Sequence, residues 1–110
     1  MLACRIHAKD DLRIEPVDTP EVGPGQVLLR LGAGGICGSD IHYYYEGRNG
    51  SFIVREPLMP GHEASATVAA IGAGVTRVKA GDKVAVSPSH ACGWCEGCRE
   101  GREQLCRNMR

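Results

Sequence analysis

The sequence has no excess of either charge. Lys and Arg total 13, Asp and Glu total 13, and the formal net charge is zero. Binding nucleic acid takes clustered cations, and no basic block is present; an acidic solvating tail is equally absent. Nor is there a long hydrophobic run. The longest uncharged apolar stretch, Ala64 to Val75, is broken by Gly72 and Gly74 and is too short to span a bilayer. The first eleven residues carry Arg5, Lys9, Asp10 and Asp11, so no signal-peptide core is visible, although Leu2-Ala3-Cys4 superficially resembles a lipoprotein cleavage site. Internal repeats and low-complexity segments are missing too. These absences exclude a nucleic-acid partner and a membrane partner and leave the cytosol as the expected compartment. The zero net charge gives little mutual repulsion, which is compatible with self-association.

The 110 residues amount to one domain by length, and Gly fills 15 of the positions, above the usual share of about 7%. With Val, Ile and Thr between the glycines, the pattern predicts short strands and frequent turns. Ala3 to Lys9 and Leu12 to Val17 read as a hairpin around Asp10-Asp11. Pro16, Pro20 and Pro24 make the next stretch a loop, and Val27 to Leu31 a buried strand. Gly38 to Tyr45 is expected to be a short helix capped by Ser39 or Asp40, followed by an irregular loop from Glu46 to Pro60. Ala64 to Ile71 reads as a long strand, Val75 to Val78 as a short one, and Lys83 to Val86 as half-buried. Gly32, Gly34 and Gly35 do not have the Gly-x-Gly-x-x-Gly spacing of a dinucleotide loop. A small barrel or sandwich is the expected architecture.

Four of the six cysteines, Cys92, Cys95, Cys98 and Cys106, fall within fifteen positions. Thiolates spaced in this way can turn onto one point and complete a tetrahedral Zn²⁺ site with no open position. Glu96, Arg99, Glu100, Arg102 and Glu103 keep this lobe wet, so apolar burial cannot hold it. Two disulfides or unrelated thiols are the alternative, disfavoured in a reducing compartment.

Cys37, His62 and Glu63 form a second candidate set. Sulfur, imidazole and carboxylate are three ligand types of a catalytic Zn²⁺ that leaves a fourth position open. Cys37 and His62 are 25 residues apart, however, and periodicity does not bring them together. On spacing alone, a buried Cys and an unrelated surface His-Glu pair explain the residues better than a shared metal does.

Gly35-Ile36-Cys37-Gly38-Ser39-Asp40-Ile41-His42, Gly61-His62-Glu63, Gly72-Ala73-Gly74-Val75, Gly81-Asp82-Lys83-Val84 and the four-cysteine lobe occur in this order. Together they resemble the N-terminal GroES-like catalytic domain of zinc-dependent medium-chain alcohol dehydrogenases, over nearly the whole chain. The resemblance implies a mainly β, partly open GroES-like barrel across residues 1–110, with short helices and a structural zinc lobe at about residues 89–107. Ser39, His42-Tyr43-Tyr44 and the loop to Phe52 resemble the sorbitol-type polyol dehydrogenases. Ser87-Pro88-Ser89 and Arg107 to Arg110 resemble L-idonate 5-dehydrogenases more closely. The implied reaction is oxidation of a secondary alcohol of a sugar acid or polyol to a ketone, with NAD or NADP taking the hydride.

By the same resemblance, Cys37, His62 and Glu63 hold a catalytic zinc, and Cys92, Cys95, Cys98 and Cys106 a structural one. Ser39 accepts the alcohol proton and His42 passes it outward. Asp40 holds the far nitrogen of His62, or is only a helix cap. Tyr43 and Phe52 line the substrate pocket, or Phe52 lies in the core. Cys4, His7 and His90 are read as ordinary packing or surface residues. The family uses a Rossmann domain for the dinucleotide, and none is encoded here. The chain is therefore expected to be a fragment, inactive alone, of a protein that is a homo-oligomer at full length. A non-catalytic GroES-like zinc module and a sorbitol, xylitol or threonine-type dehydrogenase are the competing readings.

Overall fold

The computed structural model describes all 110 residues, Met1–Arg110. The N-terminal hairpin forms as the sequence predicts. Strands β1 (Leu2–Ala8) and β2 (Asp11–Pro16) pair antiparallel, with Cys4 opposite Ile14 and Ile6 opposite Leu12. Asp10 turns the chain at φ 58°, a conformation that Asp tolerates better than most residues.

The central sheet is antiparallel in the order β3 (Val27–Gly34), β6 (Ala64–Ile71), β7 (Lys83–Ala85). Its middle strand, β6, occupies the bounds the sequence predicts, and its alternation places Ala66 and Val68 inside. β3 runs three residues past its expected end at Leu31, because Ala33 and Gly34 still pair with Ser65 and Ala64. Two register shifts, at Leu28/Leu29 and Leu31/Ala33, bend it on the way.

Other elements depart from expectation. Residues 75–78 form no strand: the backbone from Gly72 turns through Gly74 at φ 82° and pairs with no strand there. Glu46 to Pro60 is not wholly irregular. Helix α1 (Gly38–Glu46) ends at Gly47, and β4 (Arg48–Asn49) and β5 (Phe52–Ile53) form a two-residue ladder beyond it. A bridge between Ile6 and Leu58 then ties this loop to the first hairpin. The N-cap of α1 is Cys37, not Ser39 or Asp40. Asp40 lies three residues inside, where a carboxylate can reach back to the cap N–H. The C-terminal lobe adds α2 (Glu96–Arg99) and a 3₁₀ turn, Glu103–Leu105.

The mainly β expectation holds, as three small open sheets. Only Ala3, Ile6, Ala66, Val68 and Cys95 are buried. The radius of gyration is 16.1 Å, against about 13 Å for a compact 100-residue domain. The core is thus small, with Ala3 and Ile6 buried on β1 and Ala66 and Val68 on β6, and many large apolar side chains stay on the surface, among them Leu12, Ile14, Ile36 and Ile41.

Candidate metal centres

The antiparallel pairing of β3 and β6 sets Gly34 opposite Ala64, so the end of one strand lies beside the start of the other. The three residues after Gly34 lead to Cys37, and the two before Ala64 are His62 and Glu63. Ligand atoms of Cys37, His62 and Glu63 consequently lie within 4.8 Å of one another. Two loops that are distant in sequence are made neighbours by strand register.

Local chemistry holds the two loops together. The Gly35 N–H donates to the Glu63 carbonyl at 2.6 Å. A β-carbon at position 35 would sit 2.5 Å from Glu63 Oε2, so glycine leaves the space the carboxylate occupies. Gly61 turns at φ 103°, a region open to glycine and costly for other residues. Cys37 and His62 are half-buried, and Glu63 is exposed.

Asp40 differs from its expected arrangement. Its Oδ2 accepts the Cys37 N–H at 3.0 Å and its Oδ1 accepts the Gly61 N–H at 3.1 Å. The expected bond to the His62 ring is not formed, because both carboxylate oxygens face main-chain donors. Asp40 therefore bears on the ligand loops through their backbones.

Ser39 Oγ is buried and has no hydrogen-bond partner in the protein. A buried hydroxyl without a partner is costly, so one in this position is suited to a ligand's polar atom. His42 follows one turn later and is exposed, with Nδ1 3.5 Å from Glu46 Oε1. Ser39, His42 and Glu46 are spaced i, i+3, i+7 and share one face of α1.

Tyr43 and Phe52 line one cleft of about 470 Å³ with Arg55, Glu56, Leu58 and Met59. None of Cys37, His62 and Glu63 lines it. Phe52 is 72% exposed, which removes the core alternative for that residue. Tyr44 and Tyr45 stack edge to face at 4.9 Å and belong to a different cavity, against Cys4 and Leu12.

The sulfurs of Cys92, Cys95, Cys98 and Cys106 also converge within 4.8 Å, and all four are free thiols. Neither disulfide of the alternative reading is present. Main-chain N–H groups point at the sulfurs: Cys92 N to Cys106 Sγ, Cys95 N to Cys92 Sγ and Asn108 N to Cys106 Sγ, each 3.3 Å. Asn108 Nδ2 adds a contact to Cys92 Sγ at 3.6 Å, a contribution that no spacing rule finds. Burial raises the Cys92 thiol, but N–H donors from Trp94, Asn108 and Cys95 outweigh it and bring it down to about 6. Burial pushes Cys98 up to about 12, and the neighbouring sulfurs of Cys95, Cys106 and Cys92 add to the rise. Four sulfurs this close cannot all carry charge unless a cation sits among them, so the donor set fits Zn²⁺. His90 and Arg110 close the lobe with a reciprocal pair of main-chain bonds, 2.5 and 3.0 Å.

Two residues of the first hairpin have clear local roles. His7 Nε2 meets Glu15 Oε1 at 2.8 Å across the strands, so His7 has a partner that its sequence position does not reveal. Arg5 joins the same carboxylate at 3.2 Å.

Comparison with known proteins agrees with this geometry. Residues 23–110 match the family model described as the alcohol dehydrogenase GroES-like domain. The chain is 50% identical over 104 residues to a sorbitol dehydrogenase from Gallus gallus, covering 94% of this chain and 29% of that protein. Among solved structures, an L-idonate 5-dehydrogenase from Escherichia coli K-12 superposes with a TM-score of 0.74 at 34% identity, over 99% of this chain and 31% of that one. A zinc-dependent alcohol dehydrogenase from Streptococcus pneumonia gives 0.79 at 30% identity, over 98% and 30%. The chain thus spans about three tenths of the length of the proteins it matches. No helix is long and apolar enough to cross a membrane.

Proposed function

The chain belongs to the GroES-like domain family of zinc-dependent medium-chain alcohol dehydrogenases, and on that premise we propose that it supplies the metal-binding half of a polyol or sugar-acid dehydrogenase. The observation that carries this reading is the convergence of Cys37, His62 and Glu63 within 4.8 Å, at the end of a strand pair whose register brings their loops together. The partnerless Ser39 hydroxyl at the start of α1 supports it.

Bound at that cluster, zinc supplies Lewis acidity that makes a secondary alcohol easier to deprotonate. Ser39 Oγ, having no protein partner, accepts the substrate hydroxyl's hydrogen bond, and as it takes that proton it releases its own hydroxyl proton. His42 lies one turn along the same helix face and receives the released proton, with its ring set against Glu46 in solvent. The α1 stripe leads from a buried hydroxyl to an exposed imidazole, which suits a route outward. Tyr43 and Phe52 share a cleft with Arg55 and Glu56 that bears on substrate choice. The cysteine lobe takes a second zinc, which shapes the polypeptide and leaves no position for substrate.

The nicotinamide dinucleotide, NAD or NADP, is held by a Rossmann-type unit, which these 110 residues do not contain. Exposed Leu12, Ile36 and Ile41, which line one cavity, support burial of this face against further polypeptide, including another copy in a homo-oligomer. Reduced cysteines suit a cytosolic setting. Both a sorbitol dehydrogenase, at 50% identity, and an L-idonate 5-dehydrogenase, at 34%, are similar to this chain, so the substrate class is a polyol or its acid. A non-catalytic module is the second reading, and the same three-ligand cluster disfavours it.

Metal content tests the proposal. Two zinc per chain are expected, falling to one in Cys37→Ala or His62→Ala. A single zinc bound only by the cysteine lobe, in a protein that also carries the dinucleotide domain, would favour the non-catalytic module. In that longer protein, Ser39→Ala should lower kcat by about 10²- to 10⁴-fold, the range of a positioned proton acceptor.

A further inference from the structure

We propose that the side-chain amide of Asn108 is a positioning donor that ties the last sulfur of the cysteine lobe to the first, and so sets how slowly the lobe gives up its ion. The inference rests on the metal reading of Cys92, Cys95, Cys98 and Cys106, and not on the open site.

Three of the four sulfurs are held by short-range structure. Cys95 caps α2 and Cys98 lies within it. The Cys95 N–H donates to Cys92 Sγ at 3.3 Å. Cys106 arrives separately, from beyond the 3₁₀ turn at Glu103–Leu105. Its attachment runs through two residues. The Cys92 N–H and the Asn108 N–H both donate to Cys106 Sγ, each at 3.3 Å. The Asn108 side chain then reaches back 16 positions and sets Nδ2 3.6 Å from Cys92 Sγ. Asn108 thus addresses the fourth sulfur with its main chain and the first with its side chain. The reciprocal main-chain bonds of His90 and Arg110, at 2.5 and 3.0 Å, keep the two segments in line behind it.

A lobe of this kind loses its ion when one sulfur swings away, and the sulfur with the fewest local ties is that of Cys106. Asn108 is exposed, so burial does not account for the orientation of its amide. Charge does: the metal ligand is the thiolate, and hydrogen bonds to an ionised acceptor are about twice as strong as neutral ones. Outer partners of metal ligands typically change affinity by about 10- to 100-fold. A donor and a space-filler make opposite predictions for an isosteric variant that cannot donate.

The experiment mixes the Zn²⁺-loaded chain with excess chelator. Trp94, between Cys92 and Cys95, reports emptying of the lobe by its fluorescence. Asn108→Ala should release the lobe ion about 10- to 100-fold faster than wild type. Asn108→Asp keeps the shape but turns an oxygen toward a thiolate, and should release at least as fast as the alanine variant. Arg107→Ala removes the segment's exposed ion pair to Glu96, 3.3 Å long, and should change the rate by about twofold at most. With NMR-active cadmium in the wild-type lobe, the Asn108 side-chain amide protons should show scalar coupling to the metal through the N–H···S bond. An unchanged rate in Asn108→Ala overturns the inference. So does a wild-type rate in Asn108→Asp, an equal acceleration in Arg107→Ala, or an amide with no coupling to cadmium. If the lobe of Asn108→Ala holds no ion at all, the Asp variant and the cadmium coupling decide the matter. Wild-type cysteines that take up no ion remove the metal reading and the inference together, whereas uptake and release that ignore Asn108 remove the inference alone.

Discussion

Gly35 and Glu63 meet twice: main chain to main chain at 2.6 Å, and through the space at Gly35 that the Glu63 carboxylate fills. A side chain at 35 would compete with Glu63 Oε2 for the same volume. The carboxylate is the far end of a flexible side chain and can swing away, but Glu63 Cβ, 3.1 Å from where a β-carbon at 35 would sit, must also give way slightly. Gly35→Ala should therefore lower the melting temperature modestly while weakening metal at the open site by about tenfold or more. Metal analysis after dialysis against a chelator should find the lobe ion retained and the other lost. Retention of both ions would mean that Glu63 holds no metal.

The cysteine lobe has one buried residue, Cys95, and no apolar core. Metal binding is worth about 10–16 kcal/mol in comparable small zinc peptides. Cys98→Ala, or removal of the ion by a chelator, should disorder residues 90–107 while the β3–β6–β7 sheet survives. Trp94, the chain's single tryptophan, lies between Cys92 and Cys95 and reports the change by its fluorescence. An unaltered hydrogen-exchange pattern in the lobe would contradict a metal-held structure.

Gly72 packs against backbone and not against a side chain. A β-carbon there would collide with the Gly23 carbonyl oxygen, and the Gly72 N–H donates to the Gln26 carbonyl at 2.8 Å. Neither neighbour can rotate out of the way. Gly72→Ala should cost about 1–3 kcal/mol in urea denaturation, the usual range for forced overpacking. A neutral result would show that this loop is held less closely than the structure describes.

Asp82 accepts from the Lys79 ammonium at 2.7 Å and the Lys79 N–H at 3.0 Å. These bonds hold its pKa below the ordinary 3.8. A depressed carboxylate stabilises the fold above its unfolded pKa and loses that contribution as pH falls through the folded value. Its main chain also pairs with Val68, through Val68 N–H to the Asp82 carbonyl at 2.8 Å. Amide protection at Val68 and Gly81 should consequently fall as pH drops below about 4, and Asp82→Asn should flatten that dependence. Equal acid sensitivity in the variant would assign the effect to another carboxylate.

Much of the fold is legible in local stretches of sequence. Cysteines at short spacing can reach one another whatever the rest of the chain does, so the lobe follows from local geometry. Strand β6 is readable because Gly61 precedes it and Gly72 follows it. The hairpin at Asp10 needs only one residue tolerant of positive φ. Residues 75–78 mislead, because their β-prone side chains suggest a strand where no partner strand lies alongside. Cys37 is not recognisable as the helix cap, because it is the Cys37 N–H that bonds to Asp40, and a main-chain donor leaves no mark in the residue type.

The sequence by itself determined the four-sulfur cage, the mainly β character and the residue types able to hold a second ion, since each depends on neighbours close along the chain. Only the tertiary structure decided that Cys37, His62 and Glu63 share one place, and that Asp40 grips two backbones in preference to a ring. Those contacts follow from the pairing of Gly34 with Ala64. Strand register is a property of two segments at once, and neither segment carries it alone.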